Sequence, residues 1–155
     1  MESPPRAEQS IKTWEKPPLG IVKLNWDAAI DVGRQKMGVG IIARDHAGNV
    51  LAVFCASRPL VIDPTVAEDI VAWKATDVCM LMGFSKVILE GDSIEVVKAL
   101  KGDDWCWNRY GSLINDAKST LNSLQDWHVC HTKRLANSTA HLLAKHRLTV
   151  SEDQL

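Results

Sequence analysis

Three extended segments follow one another with short links between them before the chain turns helical, and this succession limits the fold more than any other feature. In residues 21 to 29, Val22, Leu24 and Trp26 fall on one parity and Lys23, Asn25 and Asp27 on the other, the two-residue alternation of a strand. Asp27 is thereby assigned to the polar face. After a turn around Asp31–Arg34, Gly38–Ala43 and Val50–Cys55 read as two more strands, joined by Arg44–Asn49, in which Gly48 and Asn49 suit a hairpin. Such a run predicts an antiparallel meander. Asp63-Pro64-Thr65 then signals a helix start, Ala67, Ile70, Val71, Val78 and Leu81 recur at helical spacing, and Gly83 ends the helix. Lys86–Gly91 reads as a short buried strand, Ser93 to about Leu100 as a helix, Gly102–Trp105 as a break, and Ser112–Leu124 as a third helix. Trp127–Lys133 alternates as a last strand, and Asn137 caps a closing helix with Ala140, Leu143, Ala144 and Arg147 on one side. The expectation is an α/β fold, a mixed sheet with helices packed against it.

Asp27 lies inside the apolar run Leu19–Ile30. An unpaired carboxylate there would cost about 3 kcal/mol or more to desolvate unless a cation meets it. Glu68, early in the first helix, and Asp92, where a strand meets a helix, stand where they can face it. Three converging carboxylates suggest a divalent metal. Both partners have a local alternative: Thr65-x-x-Glu68 and Asp92-x-x-Glu95 each fit a capping box, in which the acid reaches back to a backbone N–H. A mid-strand carboxylate has no capping role, so a joint explanation of all three favours a metal site.

With 155 residues, one compact domain is expected, spanning residues 14–148 between a flexible tail at 1–13, rich in Pro, Glu, Ser, Arg and Gln, and a C-terminal tail at 149–155. A formal charge of −1 argues against a strongly basic particle that coats nucleic acid without selectivity. Cys55, Cys79, Cys106 and Cys130 are scattered without paired short spacings, and no hydrophobic leader precedes them. Reduced cysteines and an intracellular location, nucleus or cytoplasm rather than secretion, follow as expectations. No apolar run approaches the roughly 20 residues of a membrane-spanning helix, so no membrane is expected as a partner, and a monomer is.

Ordered motifs then bring in a family. Trp14-x-x-Pro17-Pro18-x-Gly20-x-x-Lys23-x-Asn25-x-Asp27, Gly38-x-Gly40-Ile-Ile-Ala-Arg44-Asp45-x-x-Gly48, Ala67-Glu68, Glu90-Gly91-Asp92-Ser93 and Ala136-Asn137-x-x-Ala140-His141-x-Leu143-Ala144 recur in family order from about Trp14 to Arg147. The chain resembles a type 1 ribonuclease H domain, in the plant reverse-transcriptase-like branch. The resemblance implies a five-stranded mixed sheet, its first three strands antiparallel, with Asp27, Glu68 and Asp92 gathered around two Mg²⁺ ions, for which Mn²⁺ can substitute. It also implies hydrolysis of the RNA strand of an RNA–DNA hybrid. Hard oxygen ligands suit Mg²⁺, one ion lowering the pKa of the attacking water and the other stabilising the leaving oxygen. Asp27 is then the shared carboxylate, Glu68 holds one ion from the helix, and Asp92 serves the metal near the nucleophile.

The chain departs from that pattern at the fourth acidic position, supplied as Asp by the closing helix of active bacterial, archaeal and retroviral members and here occupied by His141. His141 is counted with the catalytic candidates; its alternatives are an ordinary polar helix position, or weak ligation or proton transfer. Ala28 stands in place of the family's glycine, Pro64-Thr65 replace paired asparagines, and Ala28, Thr65, Ser93 and Asn137 are the substrate-binding candidates. Where a lysine-rich handle is missing, Trp105, Trp107, Arg109 and Tyr110 offer either stacking on sugars or bases, or core packing, which is expected for at least one of the two tryptophans. Lys98, Lys101, Lys133 and Arg134 are a phosphate-contacting edge or plain solvated surface. Strand alternation separates His131 from His128 and Cys130, against a structural zinc site. The second functional reading is a module of weak or no turnover, of retroelement origin, that binds nucleic acid or a protein partner.

Overall fold

A computed structural model describes residues 13–60, 64–107 and 111–149. Most of the two expected tails, Asp63 of the helix-start signal, and Arg109 and Tyr110 lie outside the described residues. The elements are β1 (Val22–Asp31), β2 (Lys36–Arg44), β3 (Val50–Pro59), α1 (Pro64–Met82), β4 (Lys86–Gly91), α2 (Ile94–Lys101), α3 (Gly111–Asn122), β5 (Asp126–His131) and α4 (Ser138–Thr149). The strands lie in the order β3-β2-β1-β4-β5, with β1 to β3 antiparallel and β4 and β5 parallel to β1. Among the described residues no helix is long and apolar enough to cross a membrane.

The alternation in β1 holds, and it sorts the strand between two helical layers. Leu24 and Trp26, with Met37, Val39 and Ile41 of β2, enter the main core with Val71, Ala75 and Cys79 of α1, Leu100 of α2 and Leu121 of α3. Lys23, Asn25 and Asp27 face the other way, and here the structure corrects the simple polar-face reading. That face is roofed by α4, and Asp27 is only 2% exposed. The physical reason lies in β2. A Cβ added to Gly38 would fall 1.9 Å from the Ala144 carbonyl oxygen, and one on Gly40 would fall 2.2 Å from that of Ala140. Bare backbone on β2 and alanines on α4 let helix and strand touch directly, burying the polar residues beside them. Leu81, expected on the apolar side of its helix, is instead exposed in the last turn of α1.

The sheet has a notch. β4 pairs with β1 from Val22 to Trp26 and stops at Gly91, whereas β1 continues to Asp31. Gly91 is obligatory there, since a Cβ would lie 2.4 Å from the Trp26 ring. Asp27 is thus the first β1 residue beyond the end of β4. The chain leaves β1 towards β2 and leaves β4 towards β5, so the notch is a topological switch point, where parallel strands open a crevice at their carboxyl ends.

Candidate functional site

Three elements deliver acids to the notch. Asp27 comes from β1, Glu68 from α1 and Asp92 from the residue after β4, and one ligand oxygen of each lies within 4.8 Å of the others. The capping alternative for Asp92 is not realised: α2 begins at Ile94 with Ser93 as its N-cap, so Asp92 sits one position too early. The Thr65 side chain lies outside the described residues, but Glu68 turns its carboxylate into the cluster, and its Oε2 is buried without a hydrogen-bond partner.

Burial, reinforced by the charges of Asp27 and Asp92, pushes the Glu68 carboxyl up to about 8. Asp27 is raised to about 6 by burial and then by Asp92, against the opposing pull of His141 and the Ala28 backbone N–H. Among the described residues no lysine or arginine forms an ion pair with any of the three. Converging hard oxygens, a buried oxygen without a partner and uncompensated charge are the features that a divalent cation relieves, so this donor set fits such an ion.

His141 completes the site. Its Nδ1 lies 2.5 Å from Asp27 Oδ2, so it is no ordinary polar position on a helix surface. The His141 backbone N–H donates to the Asn137 carbonyl at 3.1 Å. Asn137 itself departs from both of its expected roles. Its amide is buried, donating to the Trp26 carbonyl at 2.8 Å and accepting from Asn25 at 3.1 Å, which leaves it neither capping with its side chain nor open to a substrate. Ser93 is half-buried at the rim and makes no side-chain cap bond, while Ala28 packs against the core beneath the acids.

Further out, Trp105 and Trp107 are 60% and 88% exposed, with ring centroids 6.1 Å apart. The expectation that at least one packs in the core is therefore corrected: the two rings meet each other on the surface. Lys98, Lys101, Lys133 and Arg134 are all exposed. The acid triad is the only metal-capable cluster among the described residues, and no zinc set forms around His128 and Cys130. Two residues named from the sequence, but not as parts of this site, contribute to it. His131 Nε2 lies 3.2 Å from the Asp92 carbonyl oxygen, and Asn25 is fully buried beside the triad. For Asn25 the signal was present, a polar residue on the same parity as Asp27.

Strand order and helix placement define a ribonuclease H-like fold, and solved structures similar to this chain bear that out. Ribonuclease H1 of the halophilic archaeon Halobacterium salinarum superposes with a TM-score of 0.75 at 24% identity, over 83% of this chain and 97% of that one. The N-terminal ribonuclease H domain of a Mycobacterium tuberculosis protein gives 0.73 at 18% identity, over 83% and 93%. A ribonuclease H1 isolated from compost, in complex with an RNA/DNA hybrid, gives 0.69 at 17% identity, over 81% and 94%. Residues 25–147 match the family model described as reverse transcriptase-like, and the chain belongs to that family. No curated protein sequence matches the chain significantly.

Proposed function

We propose that the chain is a divalent-metal-dependent endonuclease that cleaves the RNA strand of an RNA–DNA hybrid. The observation that carries the reading is the meeting of Asp27, Glu68 and Asp92, within 4.8 Å of one another at the switch point of a ribonuclease H-like fold. The compost enzyme of similar fold, in complex with an RNA/DNA hybrid, supports the choice of substrate.

Asp27, Glu68 and Asp92 would hold Mg²⁺ or Mn²⁺, two ions in the active form, through carboxylate oxygens. The chemistry such ions would supply there is a lowered pKa for the attacking water and stabilisation of the leaving oxygen. His141 donates from Nδ1 to Asp27, which orients that carboxylate and leaves Nε2 to accept or return a proton. Ser93 is the N-cap residue of α2 beside Asp92, a position for a hydroxyl contact to the sugar-phosphate backbone, and the Ala28 backbone N–H meets the Asp27 and Glu68 carboxyls. Thr65 remains a substrate-binding candidate from its place in the sequence, three residues before Glu68.

A labelled hybrid and matched single-type duplexes, incubated with Mg²⁺ or Mn²⁺, test the proposal. RNA cleavage by the wild type and none by Asp27→Asn is expected; equal background from both overturns it. The close His141–Asp27 contact favours a second reading, a hybrid-binding or protein-binding module without turnover, because it engages a carboxylate oxygen that a metal would otherwise share. Its signature is hybrid or protein binding unaffected by chelation and by Asp27→Asn, together with no cleavage by the wild type.

A further inference from the structure

One layer below Asp27, Asp92 and His141 lies a second set of polar side chains, one for each of them. Asn25 stands two residues before Asp27 on β1, Glu90 lies on β4 two residues before Asp92, and Asn137 immediately precedes α4, one helical turn before His141. The Asn25 amide joins these elements, donating from Nδ2 to Glu90 Oε2 at 2.8 Å and to Asn137 Oδ1 at 3.1 Å. Its oxygen is engaged from outside the sheet, accepting from Trp14 Nε1 at 3.0 Å and, more weakly, from Arg44 Nη2 at 3.4 Å. These donors fix the amide's orientation, because a flip would set its N–H groups against those of Trp14 and Arg44. The Arg44 guanidinium also stacks 3.9 Å from the Trp14 ring centroid, and Lys23 Nζ, 3.9 Å from Glu90, balances that acid's charge.

We propose that Asn25, oriented by Trp14, is the positioning residue of this site, setting the relative placement of the three elements that carry Asp27, Asp92 and His141. Both amides are almost completely buried, so neither can exchange its partners for water. The inference rests on reading the acid triad as a metal site, and it does not depend on RNA cleavage.

Three full-length variants test it by Mn²⁺ titration calorimetry and by the NMR signal of the His141 Nδ1 proton in metal-free protein. Asn25→Ala removes the joint, Trp14→Phe removes only the indole donor while keeping a ring for Arg44, and Leu121→Ala destabilises the core through α3. Partners that orient metal ligands typically contribute 10- to 100-fold in affinity. Asn25→Ala is therefore expected to weaken Mn²⁺ binding by roughly tenfold or more. Trp14→Phe should weaken it by a smaller factor, and Leu121→Ala should lower Tm without altering Kd. Wild-type affinity in Asn25→Ala, or an affinity loss matched by Leu121→Ala at equal Tm, overturns the proposal. Should Asn25→Ala fail to fold, unchanged affinity in Trp14→Phe overturns it. Should wild type bind no Mn²⁺, the metal reading itself fails, and the Nδ1 signal then decides: its shift in Asn25→Ala or Trp14→Phe supports positioning, its constancy in both overturns it.

Discussion

At the scale of single residues, the site is charged against itself. Glu68 loses its proton near pH 8 in the folded protein, whereas an unfolded glutamate does so near about 4.3. Between those values the folded state binds more protons than the unfolded, so stability falls as pH rises, by up to about 1.4 kcal/mol per pH unit for one group. Asp27, raised to about 6, steepens the fall over the lower part of the window. In chelator, Tm is expected to decline from pH 5 to pH 8, and Glu68→Gln, which has no proton to lose, should flatten the decline and raise Tm at pH 8. A wild-type Tm that rises across this range would contradict the electrostatics. His141→Asp should act in the opposite sense, placing a fourth carboxylate against Asp27. We expect a lower Tm in chelator, and tighter Mg²⁺ binding or an additional bound ion by calorimetry.

At the scale of elements, the site depends on how closely α4 lies on β2. A methyl group at Gly40 would meet not only the Ala140 oxygen but the Ala144 nitrogen, 2.6 Å away, and both are backbone atoms that cannot swing aside. Gly40→Ala is therefore expected to lift α4, cost about 1–3 kcal/mol or more in urea unfolding, and separate His141 from Asp27. Loss of the His141 Nδ1 proton signal in the variant would report that separation directly. This contact also explains what the sequence could and could not convey. Alternation in β1, the hairpin at Gly48 and the change from strands to helices were legible because each depends on residues close in sequence. The apolar run around Asp27 signalled a costly carboxylate, but what covers it was not legible, since that is a helix that begins more than a hundred residues later, seated on two glycines of a different strand. Asn137 shows the same limit, because its sequence position resembles a cap while its amide partners, Asn25 and the Trp26 carbonyl, lie on β1. The acids were recognisable by type and order, but only the ending of β4 at Gly91 makes the notch in which they meet.

The whole molecule carries a net charge of −1, so an extended nucleic-acid partner gains little from non-selective attraction. Affinity for the proposed hybrid must then come from a few local contacts, and the surface offers an uncommon one in Trp105 and Trp107, two large exposed rings beyond the end of α2 with Lys98 and Lys101 in its last turn. Rings buried in the core would be unavailable for such a contact; these are not. An aromatic ring packed against the sugar edge of a duplex releases no counterion, whereas each phosphate neutralised by a cation steepens the salt dependence by nearly one unit of slope. Binding of a catalytically silent Asp27→Asn protein to a labelled hybrid should therefore show a shallow log–log dependence on salt, with a slope no steeper than about −3. Adding Trp105→Ala and Trp107→Ala should weaken binding by about 1 kcal/mol, the worth of burying a modest apolar area against sugars, while leaving that slope unchanged. Replacing Lys98 and Lys101 by alanine should do the reverse, flattening the slope by up to about two units with the aromatic contribution intact. A hybrid affinity unaffected by loss of both tryptophans would move the docking surface away from this end of the sheet, to the side bounded by β3 and the β1–β2 turn.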